Sequence, residues 1–261
     1  MGSDKAKDRQ ASDDELPQHE LHLPAFGISK YPITNAQYQA FVSDGGYQKA
    51  AYWPEAIAAK CWQPGLIRDW QGERSGPVDF GHPFNLPNHP VVGLTWYEAV
   101  AFCRWLTNRL QSGGELAPEQ AITLPSEAEW EKAARGPTGR IFPWGDEPDP
   151  NKANYDPTGI GTTSAVGCFP AGASPYGCLD LAGNVGEWTQ SSDEGYPYNQ
   201  ADSREESEKS TDVRRVLRGG AFDDNENLVR CAARLRDFPD NNWYNYLGVR
   251  VVVSPFFTSG L

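Results

Sequence analysis

Twenty-six glycines and 21 prolines in 261 residues set the strongest limit on what this chain can fold into. Proline has no backbone donor and clashes inside a helix, and glycine loses the most freedom on ordering, so a bundle of long helices is excluded. Nine tryptophans oppose the loop-forming bias. Their rings supply core area that a disordered chain lacks. The expectation is a compact fold whose irregular segments are pinned by aromatic side chains.

Residues 1–18 are polar, show no apolar period and read as a flexible N-terminal arm or a strap on the surface, leaving 19–261 as a single domain. HELHLPAF (19–26) alternates as a strand does. The extended run continues through ISKYP (28–32), where Pro32, lacking an amide donor, excludes a central strand position. Thr34 caps a short helix over 35–42, with Tyr38, Phe41 and Val42 on one face. Residues 44–90 read as a long loop pinned by aromatics. A helix over 95–110 opens with the capping box Thr95–Glu98 and carries a stripe of Trp96, Ala99, Val100, Cys103, Leu106 and Leu110. Ser126 and Glu129 repeat that spacing before a second helix, whose Trp130, Ala133 and Ala134 face inward and which Gly136 ends. Glu127 and Glu131 read as its solvated face. Beyond 137 only short extended runs remain, at 140–143, 164–169, 214–219 and 247–253, and residues 191–213 read as a flexible acidic excursion. The fold class is α+β: two main helices, a small antiparallel sheet and much irregular loop.

Acidic residues outnumber basic ones 35 to 23, giving a net charge of −12. Tracking phosphates needs clustered Lys and Arg, so no nucleic-acid partner is expected. No run of about 18 apolar residues exists, so no membrane span is expected, and no basic-plus-apolar leader opens the chain. The five cysteines, at 61, 103, 168, 178 and 231, lack CxxC or CxxH spacing. That argues against zinc and against a paired framework; free thiols in a reducing cytoplasm are the expected state. There is no GxSxG, no phosphate-cradling glycine loop and no HExxH, so no catalytic residue is assigned.

KYPITNAQYQAFV (30–42), HPVVGLTWYEAVAFCRWL (89–106), LPSEAEWEKAARG (124–136), FPWGDE (142–147), LDLAGNVGEWT (179–189), RVLRGGAF (215–222) and GVRVV (248–252) together resemble the formylglycine-generating enzyme, or sulfatase-modifying factor, family. They run in the family's order and span nearly the whole chain. The resemblance implies an elaborated C-type-lectin-like fold, and the opening MetGlySerAsp, which resembles the interior of the family's first strand, implies sequence upstream. Family members include copper-dependent oxidases that convert a sulfatase Cys to formylglycine, iron-dependent sulfoxide synthases and non-catalytic ligand binders.

In the resembling oxidases one copper thiolate lies four residues beyond an RGG turn and the other five further on. Here the turn is Arg218-Gly219-Gly220, and the first position is Asp224. A carboxylate is too hard a ligand for Cu(I), so no copper is expected, and Cys231 matches a family cysteine that is not a ligand. The iron enzymes take histidines from a separate helical domain; His19, His22, His82 and His89 read as solvated or structural. The resemblance also implies structural Ca²⁺ at Asp180, Gly183, Val185 and Glu187. Two carboxylates and two carbonyls from a glycine-rich turn are suitable hard ligands. The competing account pairs Glu187 with an arginine and makes Asp180 a turn cap. A second family calcium site would use Asn154 and the Tyr155 carbonyl, but its distal ligands fall in the shortened DPTGIGTTS.

Residues 221–246 are rich in Asn, Asp, Tyr, Trp and Phe between two stiff runs. Such composition resembles a paratope, with rings for contact area and amides for adaptable hydrogen bonds. It also resembles the variable region of retroelement-diversified proteins built on the C-type-lectin fold. The ligand-facing set would be Phe222, Asp223, Asp224, Asn227, Asp237, Phe238, Asp240, Asn241, Trp243, Tyr244 and Tyr246. Arg218, Gly219, Gly220, Arg230, Cys231, Arg234, Gly248 and Arg250 would be scaffold. The expected function is a non-catalytic module that binds a protein ligand; the alternative is a formylglycine-generating or non-haem-iron oxidoreductase.

Overall fold

Three reciprocal capping boxes, Thr34 with Gln37, Thr95 with Glu98 and Ser126 with Glu129, start the helices α1 (Asn35–Ser43), α3 (Trp96–Ser112) and α4 (Glu127–Arg135); a short α2 (Pro54–Ala58) begins on proline. The computed structural model describes residues 1–69, 72–206, 213–241 and 244–254. Its strands are short: β1 (Gly27–Ile28), β2 (Trp62–Gln63), β3 (Leu66–Asp69), β4 (Gly72–Arg74), β5 (Ala121–Thr123), β6 (Gly186–Ser192), β7 (Arg215–Arg218), β8 (Leu235–Asp237), β9 (Leu247–Val249) and β10 (Val252–Ser254). They form three sheets, in the orders β1-β10-β5, β2-β3-β4 and β8-β7-β6-β9. All pairings are antiparallel except β6 with β9.

The sequence misses β6, because residues 186–189 and 191–192 are all buried and leave no alternation to read. Conversely, 19–26 forms no strand. It is held by side chains instead: the Tyr198 amide donates to His19 Nε2 at 3.0 Å, and Gln200 Nε2 donates to the His22 carbonyl at 2.7 Å. Residues 140–143 contribute only the bridge Phe142–Gly145, and 164–169 none. Within 44–90, read as loop, lies the β2-β3-β4 meander.

The main core packs α1 and α3 rings, among them Tyr38, Phe41, Trp96, Phe102 and Trp105, against Trp188, Leu217, Leu247 and Val249 of the third sheet. The buried arc of α3 is wider than the expected stripe: Phe102 and Trp105 join Trp96, Ala99 and Cys103, while Val100, Leu106 and Leu110 are half-buried. On α4, Trp130, Ala133 and Ala134 face inward as expected. Glu127 and Glu131 are not solvated; both are buried against arginines.

Of the two forms expected for the N-terminal residues, arm or strap, the structure has the strap. Ser3 and Glu15 are buried, and Arg230 donates to Asp8 Oδ2 at 2.6 Å, Glu15 Oε1 at 2.6 Å and Glu15 Oε2 at 2.8 Å. The Gly2 amide adds a bond to Glu131 Oε1 at 2.8 Å. The acidic residues that read as solvated are counterions to an arginine more than 200 positions away. Part of 191–213 is likewise packed, with Tyr198 and Arg204 buried; its residues 207–212 lie outside the described residues.

Burial pushes the Glu15 acid up, but the hydrogen bonds and charge of Arg230 overcome this and hold it at about 2, below its ordinary 4.5. That stabilisation is present above pH 4.5 and is lost as pH falls toward 2. Arg230→Ala leaves two buried carboxylates without a cation, an expected loss of about 3–5 kcal/mol in denaturant melts at pH 7. The difference between variant and parent should shrink as pH approaches 2; a constant difference would contradict the pairing.

Candidate functional site

The segment between β7 and β9 divides into frame and face. Four arginines of this segment and its flanks are frame: Arg218 and Arg250 are fully buried, and Arg230 and Arg234 nearly so, whereas Arg236 is exposed. The turn after β7 needs its two glycines, both in the left-handed region. A Cβ at Gly219 would lie 3.0 Å from the Trp130 ring, and one at Gly220 2.8 Å from the Leu228 carbonyl.

The expected ligand-facing residues separate by exposure. Asp223, Asn227, Phe238 and Asp240 are exposed, Phe238 at 45%. Asp224, Asp237, Asn241, Tyr244 and Tyr246 are half-buried. Phe222 is not ligand-facing: it is 4% exposed, with its ring 5.8 Å from that of Phe84. Trp243 lies outside the described residues. The segment is also not one loop, because Leu235–Asp237 pairs with β7 as an edge strand.

The structure brings several of these groups together. Tyr244 and Tyr246 stack with centroids 4.6 Å apart. Burial, then the neighbouring Tyr244, Asp223, Asp224 and Asp237, push the Tyr246 phenol up. Asp224 Oδ2 accepts the Ala221 amide at 2.9 Å, and burial pushes its acid up to about 6, with Asp223 adding in the same direction. Asn241 Nδ2 donates to Asp237 Oδ2 at 2.8 Å. Asp240 lies apart, near Cys61 and Tyr97. The face is therefore acidic and aromatic. Beside it, reached through the Phe84–Phe222 contact, opens a groove of about 560 Å³ lined by Tyr38, Val78, Phe80, Phe84, Val91 and Val92. Sequence reasoning missed this groove; the paired Phe80 and Phe84 were its one visible signal.

Three of the four expected calcium ligands, Asp180, Gly183 and Glu187, hold partners within the protein. Arg250 Nε donates to Glu187 Oε1 at 3.1 Å and Oε2 at 2.8 Å, and Trp130 Nε1 donates to Oε2 at 2.6 Å. The same guanidinium takes the Leu179 carbonyl at 2.7 Å. Asp180 Oδ2 accepts the Gly167 amide at 2.7 Å, and the Gly183 carbonyl accepts the Val185 amide at 2.9 Å. These residues do not fit calcium as arranged, because a guanidinium already supplies the positive charge to Glu187. The competing account, an arginine pair and a turn cap, describes them.

Thiol and imidazole chemistry finds little support. Cys231 packs with Trp130, Ala134, Cys178 and Leu181, and burial pushes its thiol up to about 12. His89 is buried, with Nδ1 3.0 Å from Thr163 Oγ1, while His22 and His82 are exposed and His19 binds backbone. Among the described residues no three His, Cys, Asp or Glu side chains gather in a metal-holding group, and no helix is long and apolar enough to cross a membrane.

An α+β domain with this frame matches the sulfatase-modifying factor enzyme 1-like domain over residues 1–255, and the chain belongs to that family. It is 35% identical over 255 residues to hercynine oxygenase of Mycolicibacterium thermoresistibile, covering 92% of this chain and 53% of that protein. The chain thus spans about half the length of such curated relatives. In fold it is similar to PvdO from Pseudomonas aeruginosa (TM-score 0.71, 22% identity, 97% of this chain and 89% of that one). It is also similar to Treponema denticola variable protein 1 (TM-score 0.60, 21% identity, 87% and 84%). These neighbours share the C-type-lectin-like fold of the formylglycine-generating family.

Calcium or EDTA should leave the melting temperature unchanged. Glu187→Gln should cost about 3–5 kcal/mol in either solution, since it strips a buried guanidinium of its counterion. A melting temperature that rises with calcium and falls back with EDTA would restore the metal reading.

Proposed function

We propose that this domain is a ligand-binding module that presents the acidic, aromatic face of residues 223–246 to a protein partner and performs no chemistry there itself. The observation that carries the reading is the partition within 215–250. Arginines 218, 230, 234 and 250 are sealed and paired, while Asp223, Asn227, Phe238 and Asp240, interspersed with them, reach solvent. A surface built this way changes its contacts without changing its core. Likeness in fold to a variable protein supports the reading at the level of architecture. A retroelement origin for variation in 221–246 adds a genomic test, a near-copy of the 3′ coding segment beside a reverse transcriptase.

The hercynine oxygenase likeness favours a second reading, an oxidoreductase domain. Against copper chemistry of the formylglycine-generating kind stands Asp224 at the thiolate position.

Two assays separate the readings. A CxPxR peptide incubated with the chain, Cu(I) and oxygen should yield no aldehyde by mass spectrometry; stoichiometric conversion would overturn the binding reading. In affinity capture, the variant Asp223→Ala/Asn227→Ala/Phe238→Ala/Asp240→Ala should melt within about 1 kcal/mol of the parent, as exposed positions do. It should also lose partners that the parent retains. Equal capture by both proteins would remove this face from the function.

A further inference from the structure

Each buried acidic residue of the described chain has an arginine against it: Asp8 and Glu15 with Arg230, Glu55 with Arg104, Glu98 with Arg74, Glu127 with Arg234, Glu131 with Arg218, and Glu187 with Arg250. Glu205, half-buried as a residue, departs from that rule. It ends a single 3-10 turn (Ser203–Glu205) in the acidic segment that packs on β6. Its Oε1 accepts from Ser191 Oγ of β6 at 2.6 Å and from the Tyr198 hydroxyl, while its Oε2 is closed off from solvent with no hydrogen-bond partner.

The charges around it are mixed, with like charge on one side and a cation committed elsewhere on the other. Glu127 and Glu129, from the first turn of α4, face it with like charge. Arg215 of β7 is within electrostatic reach, yet its guanidinium lies over the Trp96 ring and donates to the Gln190 and Glu206 carbonyls. Arg204, on the same turn, is bound to Asp202 and lies over the Tyr198 ring. An ionised carboxylate here would leave one oxygen unsatisfied in a dry site, whereas the protonated acid carries no charge to desolvate.

We propose that Glu205 is a proton-operated latch: protonated, it clamps residues 193–206 onto β6, and ionised, it lets that segment lift from the third sheet. The segment's other contacts say what lifting would disturb. The Asp193 amide donates to the Arg214 carbonyl at 2.9 Å, Asp193 pairs with Arg236 of β8 at 3.3 Å, and Tyr196 lies under the Arg234 guanidinium. Arg214 in turn sits over the ring of Phe238, an exposed member of the candidate face. The latch thus joins the proton concentration to the edge that carries that face, and it stands whether or not the face binds a protein.

Burial pushes the Glu205 acid up to about 7 from its ordinary 4.5, against the lowering effect of the Ser191 and Tyr198 hydroxyls. A group raised in the clamped state holds the clamp fully below pH 4.5 and loses it as pH rises through about 7. His19 works in the opposite sense, because a doubly protonated ring cannot accept the Tyr198 amide at Nε2.

Amide hydrogen exchange of 196–206, corrected for intrinsic rates, tests the latch in parent and Glu205→Gln, whose amide imitates the neutral acid. The ratio of parent to variant protection cancels His19 and every other shared group. It should fall about sixtyfold between pH 5 and pH 7.5. A flat ratio overturns the latch. Carboxyl ¹³C titration of the parent needs no variant: Glu205 should titrate near 7, and a midpoint at its ordinary 4.5 also overturns the proposal.

Discussion

Arg218 brings a positive charge into the middle of the domain, and much of the second half is arranged around satisfying it. Its guanidinium donates to the Ala232 and Ala233 carbonyls at 2.8 and 2.6 Å, pairs with Glu131 of α4 and lies over the Trp130 ring. A buried guanidinium carries a large desolvation cost that its partners must offset, so these bonds from Nη1 and Nη2 fix the path of the chain after β7, while Nε is left without a partner. From Glu131 the network runs to Arg135 and to the Gly2 amide. From Glu127, one turn earlier, it runs to Arg234 and from there to the Asp14 carbonyl. One helix face therefore ties together the strap, β7 and the segment before β8.

This frame has a consequence for the residues between the arginines. Arg230 is held by Asp8 and Glu15, Arg234 by Glu127 and Arg250 by Glu187, all partners outside 221–246. The segment is thus anchored at points spaced along it, by groups that do not belong to it. Asp223, Asn227, Phe238 and Asp240 contribute little to that anchoring. Their chemistry is free to serve recognition, which separates stability from specificity within one short stretch.

Helix starts were legible because a capping box is a local event: Thr95–Glu98 and Ser126–Glu129 are three residues apart and need no tertiary partner. The frame arginines were legible through their motifs, RVLRGG and GVRVV. What the sequence concealed was long-range. Glu131 and Arg218 are 87 positions apart, and Glu15 and Arg230 are 215 apart, so nothing local distinguishes these carboxylates from solvated ones. For Glu187 the sequence left calcium and an arginine partner open, since its pairing with Arg250 appears only once β6 and β9 lie side by side. In the candidate face, composition singled out a stretch but not the orientation of its side chains. Phe222 looked like its neighbours and is core, because the left-handed turn at Gly219 and Gly220 directs it toward Phe84.

The separation of frame from face is the claim on which the functional reading rests, and a pair of saturation libraries scored by protease resistance measures it directly. One library randomises Asp223, Asn227, Phe238 and Asp240 together; the other randomises Arg218, Arg230, Arg234 and Arg250. If the account holds, most members of the first resist cleavage as the parent does, and nearly all members of the second are digested. Comparable losses in the two libraries would mean that the exposed residues are part of the fold's support, and the face would no longer be a surface free to vary for binding.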